Sequence, residues 1–382
     1  MIDFSLTDEQ LALQEMAKEF AEKEMKPNAA KYDKGDVFPE DVMKKAFEAG
    51  LLTGTIPQEY GGGGLSDLDI LVVSEELAAG CAGLYCIMMV NALAYTPLIL
   101  FGTDAQKKRF LTPQTERMSF AAFALTEREA GSDAGAQKTT AKKDGSEYVI
   151  NGSKCFISNA SIASFYVVFA MTQPEKGMRG ISTIIVPSDT PGFSVGKKED
   201  KMGQRACPTC ELNFENVRVP AENLLGKEGQ GFHIAMKTLE RTRPPVGIGG
   251  VGIARAALEY AIEFTKTRTQ FGKPVALFQA NSFKIAQIAM EINAARLLSW
   301  QAAWLLDEGK PCGKESSMAK AFGSDVAMRA TVETVQLCGG YGYMRDYPLE
   351  KLMRDAKLLQ IYEGTNEIQR LVISREVIGS IK

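Results

Sequence analysis

Between about residue 118 and residue 228 the side chains of this chain alternate between apolar and polar. On both sides of that stretch they recur at the three- and four-residue spacing of helices. One layer of secondary structure cannot accommodate both periods. The order helices, strands, helices therefore predicts an α+β, mainly α, protein of three domains: a helical domain over 1–117, a β-domain over 118–228 and a helical bundle over 229–382. The length of 382 residues agrees, because single hydrophobic cores stop growing at roughly 250–300 residues.

In the N-terminal region Thr7 and Gln10 form a capping box for a helix with Leu13, Met16, Ala17 and Phe20 on its apolar face, and Pro27 ends or kinks it. Further helical patterns cover 39–49, 68–79 and 92–101, separated by breaks such as Tyr60-Gly-Gly-Gly-Gly-Leu65. In the middle region Asp144-Gly145 and Asn151-Gly152 are hairpin-turn dipeptides among strand-favouring runs at 148–150, 155–157, 165–169, 181–186 and 212–219. Closely spaced strands without intervening helices predict an antiparallel sandwich or small barrel. In the C-terminal region a long helix carries Phe283, Ala286, Met290, Leu297, Trp300 and Trp304 on one face, and Gly309 is placed to end it. Four such helices close a bundle.

Charge and residue counts remove several classes of function. With 44 Lys and Arg against 47 Asp and Glu, a net charge of −3, the chain lacks the basic stripe of a nucleic-acid protein. The single His233 leaves no histidine-rich metal site and argues against a Ser-His-Asp hydrolase; its place at the start of an apolar helical run points to a structural role. Seven scattered cysteines do not make a disulfide framework. The acidic start Met1-Ile-Asp-Phe-Ser has no apolar core of a signal peptide. The most apolar stretch, Ile87 to Phe101, contains Asn91 and Pro97 and reads as too short to span a bilayer. A cytoplasmic protein without a membrane partner is the expectation.

Two motifs lose their force in context. Gly247-Ile-Gly-Gly-Val-Gly252 fits a dinucleotide fingerprint, but helical pattern begins near Phe232 and no strand precedes it. Glycines that let a neighbouring helix or ligand approach are the better reading. Cys207-Pro-Thr-Cys210 precedes a strand, whereas reactive thiol pairs sit at helix N-termini, so a structural role is expected.

The informative stretch runs from Tyr347 to Arg370. An amphipathic helix ends at Tyr362, and Glu363-Gly364-Thr365 breaks it before another begins. A carboxylate at a helix end beside a flexible glycine can face a cavity, where burial raises its pKa and makes it a useful base. Taken alone, such a Glu is more often a solvated turn residue. The segment resembles the signature of the acyl-CoA dehydrogenase family, and the likeness covers the whole chain. Further matches are Leu125-Thr-Glu-Arg-Glu-Ala-Gly-Ser-Asp133, Asn151-Gly-Ser-Lys-Cys-Phe-Ile-Ser-Asn159, Thr267-Arg-Thr-Gln-Phe-Gly272 and Gln336-Leu-Cys-Gly-Gly-Tyr-Gly342, in the family's order and spacing.

The resemblance implies oxidation of an acyl-CoA thioester to its 2-enoyl form with FAD, Glu363 as the base, and the Glu363 N–H with a flavin ribityl hydroxyl at the thioester oxygen. In the isovaleryl type the base precedes the arginine matching Arg243; that position is Thr242 here, and Glu240 falls about 200° around the helix axis from it. For FAD the resemblance implicates Phe123, Leu125, Thr126, Gly131, Ser132, Phe156, Ile157 and Ser158 at the flavin. Phe156 and Ser158 stand where the family often has Trp and Thr. It gives Arg268, Gln270, Phe278, Gln279, Gln336, Gly339 and Gly340 to a neighbouring subunit's FAD, completed by Thr365, Asn366 and Glu367. Ser132, Glu240, Arg243 and Gly364 match acyl-CoA contacts. A homo-oligomer, most simply a tetramer, and an electron-transferring flavoprotein as redox partner follow from the same likeness.

For the acyl group, Leu84 stands where glutaryl-specific members carry an Arg, and no Arg or Lys occurs from Asp67 to Leu100. The expected substrate is therefore uncharged, short to medium, linear, branched or cyclic, with Tyr85, Met88 and Met89 limiting length. Rival readings are an enoyl-CoA reductase running in reverse, a nicotinamide dehydrogenase built on residues 247–252, and a helical interaction protein without catalysis.

Overall fold

The computed structural model describes residues 4–379. The first three residues of the acidic start and residues 380–382 of the C-terminal bound lie outside them. The chain is mainly helical, with a helical N-terminal region, a middle β-sheet and a helical C-terminal region.

The first helix, Asp8–Phe20, has its capping box at Thr7 and Gln10, and around Pro27 it degrades through a π-helical turn into a 3₁₀ turn. Helices Glu40–Glu48 and Asp67–Gly80 follow. The pattern over 92–101 is only the second half of a helix that begins at Ala82 and runs to Phe101, with Pro97 inside it. Its first half hides from periodicity because it is buried all round, so no polar face marks it as a helix. At 20 residues this helix is long and apolar enough to cross a bilayer, contrary to the sequence reading. What marks it as a core helix is that most of its side chains are buried inside the protein.

The middle region is one eight-stranded sheet. Its strands are β1 (Phe120–Ala124), β2 (Thr140–Asp144), β3 (Glu147–Ser158), β4 (Ala163–Met171), β5 (Ile181–Pro187), β6 (Phe193–Lys198), β7 (Thr209–Pro220) and β8 (Leu224–Leu225). The pairing is antiparallel except that β1, and one residue pair of β2, run parallel to β4. The long excursion through β2 and β3 returns the chain on the same heading. Asp144-Gly145 turns the β2–β3 hairpin as expected, with Gly145 at φ 60°. Asn151-Gly152 does not turn the chain. It forms a bulge within β3, where Asn151 Oδ1 accepts the Asn216 N–H at 2.8 Å. Gly152 is required there, because a Cβ would meet Thr139 at 2.6–2.9 Å.

Three long helices, Gly231–Thr267, Gln279–Asp307 and Gly313–Cys338, build the C-terminal bundle, and two shorter ones, Leu349–Leu359 and Asn366–Ile378, close its fourth side. The 247–252 glycines lie inside the first of these. A Cβ on Gly247 would stand 2.5 Å from the Ala319 carbonyl oxygen, and one on Gly250 2.5 Å from that of Gly323. They serve helix–helix approach. The Gln279–Asp307 helix corrects another expectation: it buries Ile288, Ile292, Ala295, Ser299, Ala302 and Ala303, while Phe283, Met290 and Trp304 are 63%, 61% and 49% exposed. Phe283, Met290 and Trp304 face away from this chain's own core, whereas Trp300 packs against it.

His233 packs edge-on against Phe101 at 5.8 Å. Cys207 and Cys210 are buried free thiols, the second within β7.

Candidate active site

The helix Leu349–Leu359 unwinds through turns, and Glu363 and Gly364 then take consecutive left-handed conformations, φ 53° and 92°, before Thr365 caps the next helix by accepting the Ile368 N–H. A non-glycine residue held at positive φ costs roughly 1–3 kcal/mol and persists only where its surroundings fix it. Here Gln369 Nε2 donates to the carbonyls of Glu363 (3.2 Å) and Gly364 (2.8 Å), and Arg243 Nε donates to the Glu363 carbonyl at 3.4 Å. Lys320 Nζ reaches the Gly364 carbonyl at 2.7 Å.

The strained turn aims the Glu363 carboxylate inward. Oε2 accepts a hydrogen bond from Thr242 Oγ1 at 2.6 Å, whereas Oε1 is buried without a partner among the described residues. Burial pushes its pKa up to about 7, against the Thr242 hydrogen bond and the cations Arg243 and Lys320, which pull it down. One oxygen is anchored and the other is free, on a carboxyl balanced near neutrality. That is the equipment of a general base.

Glu363 lies on a cleft of about 470 Å³ between sheet and helices. Phe123, Leu125, Thr126, Gly131, Ser132, Phe156, Ile157, Ser158, Glu240, Arg243 and Gly364 line the same cleft. Phe156 is 64% exposed on its wall at φ 58°. Under that wall Lys154, fully buried, donates to the Leu125 carbonyl (3.0 Å), Glu127 Oε1 (2.9 Å) and Gln137 Oε1 (2.9 Å), tying the loop after β1 to β3. Burial lowers the Lys154 pKa to about 8 although Glu127 opposes it. A rigid wall of flat apolar side chains with the hydroxyls of Thr126 and Ser158 fits a tricyclic, hydrogen-bonding ring such as a flavin. Glu240 is a poor rival base. Burial raises its pKa, but Lys237 at 2.7 Å and the Cys312 N–H outweigh that and hold it below the usual range.

The remaining candidates are elsewhere. Arg268, Gln270, Gln336, Gly339 and Gly340 line a separate groove of about 510 Å³ that shares no residue with the cleft. Phe278 packs beside Phe271, which is 94% exposed, and Gln279 opens the following helix. Thr365 caps and Glu367 is exposed. The Asn366 side chain turns inward, donating to Ser324 Oγ at 2.9 Å and Asp325 Oδ1 at 2.8 Å, so only its backbone could meet a cofactor.

Beyond Thr242 and Met89 lies a second cavity of about 60 Å³, lined among others by Leu51, Leu52, Ile70, Val73, Leu77, Tyr85, Met88 and Pro245. Its polar members are uncharged, Thr55, Ser74, Tyr85 and Thr242. Leu84 is fully buried in the helical core and is not among the lining residues, a correction to the sequence reading. Leu84 points about 100° around the helix from Tyr85 and packs into the helical core instead.

Sequence reasoning missed Lys320. The available signal was a face of small residues, Ser316, Ser324 and Ala327, that recur with Lys320 at helical spacing and are buried here.

Family models match along the chain: acyl-CoA dehydrogenase N-terminal domain over 7–117, middle domain over 122–217 and C-terminal domain over 229–378. The acryloyl-CoA reductase (NADH) of Anaerotignum propionicum is 48% identical, over 99% of this chain and 96% of its own. The butyryl-CoA dehydrogenase structure of Megasphaera elsdenii superposes with a TM-score of 0.96 at 45% identity, covering 99% of this chain and 100% of that one. A chain from the structure of the electron transferring flavoprotein of Acidaminococcus fermentans gives a TM-score of 0.97 at 47% identity, with 99% and 100% covered.

Proposed function

The chain belongs to the acyl-CoA dehydrogenase family of oxidoreductases, and we propose that it uses FAD to dehydrogenate an uncharged short- or medium-chain acyl-CoA at the α,β bond, with Glu363 as base. The observation that carries this reading is the free, buried Oε1 of Glu363, poised near pH 7 between the flat-walled cleft and the apolar cavity. Phe123, Leu125, Thr126, Phe156 and Ser158 would hold the flavin ring, and bound FAD supplies the acceptor for the β hydrogen. Oε1 takes the α proton while Thr242 holds Oε2 in register. No hydrogen bond among the described residues uses the Glu363 N–H, which leaves it for the developing thioester oxyanion. Arg243 holds the Glu363 carbonyl, and the same burial that raised the pKa favours the neutral acid once the proton arrives. The reverse direction uses the same groups, with protonated Glu363 as donor; the relative named as a reductase favours testing it.

The domain bounds 1–117, 118–228 and 229–382 belong to this reading. So do a tetrameric assembly and an electron-transferring flavoprotein as partner. The exposed Phe271, Phe283, Met290 and Trp304 support the assembly, since an apolar face of this kind is covered in a working protein. Light scattering is expected to give four times the 41.6 kDa chain mass, and a monomer that retains one FAD per chain contradicts it. The direct test of function is anaerobic addition of butyryl-CoA to the purified protein. The expected result is a yellow protein whose flavin absorbance bleaches; a protein that neither carries nor takes up FAD overturns the reading.

A further inference from the structure

Lys320 has no role in the reading above, yet its ammonium is fully buried in the helix Gly313–Cys338. Burying an unpaired charge costs several kcal/mol. Its hydrogen-bond partners are both neutral, the Gly364 carbonyl at 2.7 Å and Asn366 Oδ1 at 2.9 Å, and among the described residues it makes no ion pair. Asp325, a nearby carboxylate on its own helix, is already engaged by Asn366, Gln360 and Arg370. A charge kept in such a place without a counter-ion acts at longer range, and the buried group it faces is Glu363.

We propose that Lys320 is a positioning residue for the dehydrogenation: it fixes the left-handed Glu363–Gly364 turn through the Gly364 carbonyl and Asn366, and its buried charge tunes the Glu363 carboxylate. The proposal rests on the reading of Glu363 as base. The charged groups acting on Lys320 are Arg243 on the Gly231–Thr267 helix, Asp325 on its own helix, Glu367 on the last helix and Glu363 on the turn. Those acting on Glu363 are Arg243 and Lys320, and the neutral Tyr85, Cys86 and Tyr362 lie close by. Burial holds Lys320 down to about 7, with Glu363 opposing, so both groups change charge in one pH range. Without the cation, Glu363 loses a stabiliser of its ionised form and its pKa rises further.

The test is the pH dependence of the reductive half-reaction in Lys320→Met and Lys320→Gln, each loaded with FAD. Both are expected to shift the acid limb upward by about one pH unit. Met, which also leaves the Gly364 carbonyl without the Lys320 donor, lowers the kcat plateau by roughly ten- to a hundredfold with KM little changed. Gln keeps a donor and loses less. An acid limb unmoved in both variants overturns the proposal, and so does failure of both to yield flavin-loaded protein, which would make Lys320 a folding residue. A Glu363→Gln control separates the failures. Full turnover in that control refutes the base itself, whereas an inactive control beside wild-type-like Lys320 titrations refutes only the role of Lys320.

Discussion

Glu363→Gln is expected to keep FAD and lose turnover by at least the ~10²–10⁴-fold attributed to general-base catalysis. The amide preserves shape and the Thr242 contact but has no lone pair basic enough for a carbon acid. The same change is expected to stabilise the free protein at pH 8. A carboxyl whose pKa rises from 4.5 to about 7 on folding keeps its proton in the native state while the unfolded chain releases it. Native stability therefore falls as pH rises from about 4.5 to about 7, and the loss is complete above that. Its size is on the order of 3 kcal/mol. Thermal unfolding should thus rank the Gln variant above wild type at pH 8 and level with it at pH 4. Normal turnover, or a variant less stable at pH 8, would contradict the assigned role and the burial argument respectively.

Glutaryl-CoA is expected to be a poor substrate, with kcat/KM at least ~10²-fold below butyryl-CoA, since several kcal/mol separate a buried unpaired carboxylate from a methyl group. The second cavity offers Met88, Met89, Tyr85 and aliphatic side chains, and no cation among the described residues lines it. Methionine reshapes around branches and rings, so hexanoyl- and cyclohexanecarbonyl-CoA are expected to outrank glutaryl-CoA as well. The check is a four-substrate comparison under one acceptor. Glutaryl-CoA in first place would mean that a cation outside the Asp67–Leu100 stretch enters the pocket.

The features legible in the sequence were those where local chemistry and tertiary environment agree. Asp144-Gly145 turns a hairpin because nothing competes with its own preference. Asn151-Gly152 has the same preference, but pairing with β7 continues past it and converts the turn into a bulge. Burial on every side erased the polar face of Ala82–Asn91, and the outward face of Gln279–Asp307 was apolar enough to be mistaken for the inward one. Glu363 is proposed as the base from its signature, since composition alone favoured a solvated turn. Thr242 was seen only as a missing base, and its hydrogen bond to Glu363 joins residues 121 positions apart, a separation no local pattern encodes.

The close contact of the two long bundle helices makes one position without a reactive group intolerant of change. Gly247 lies one helical turn beyond Arg243, and the backbone it touches belongs to Ala319, the neighbour of Lys320. Both cations beside the carboxylate are thus hung from a joint with no side chain on one side. A single added methyl at that joint would spread the helices and misplace both charges while leaving every reactive group intact. A mutational survey would score such a position as if it did chemistry.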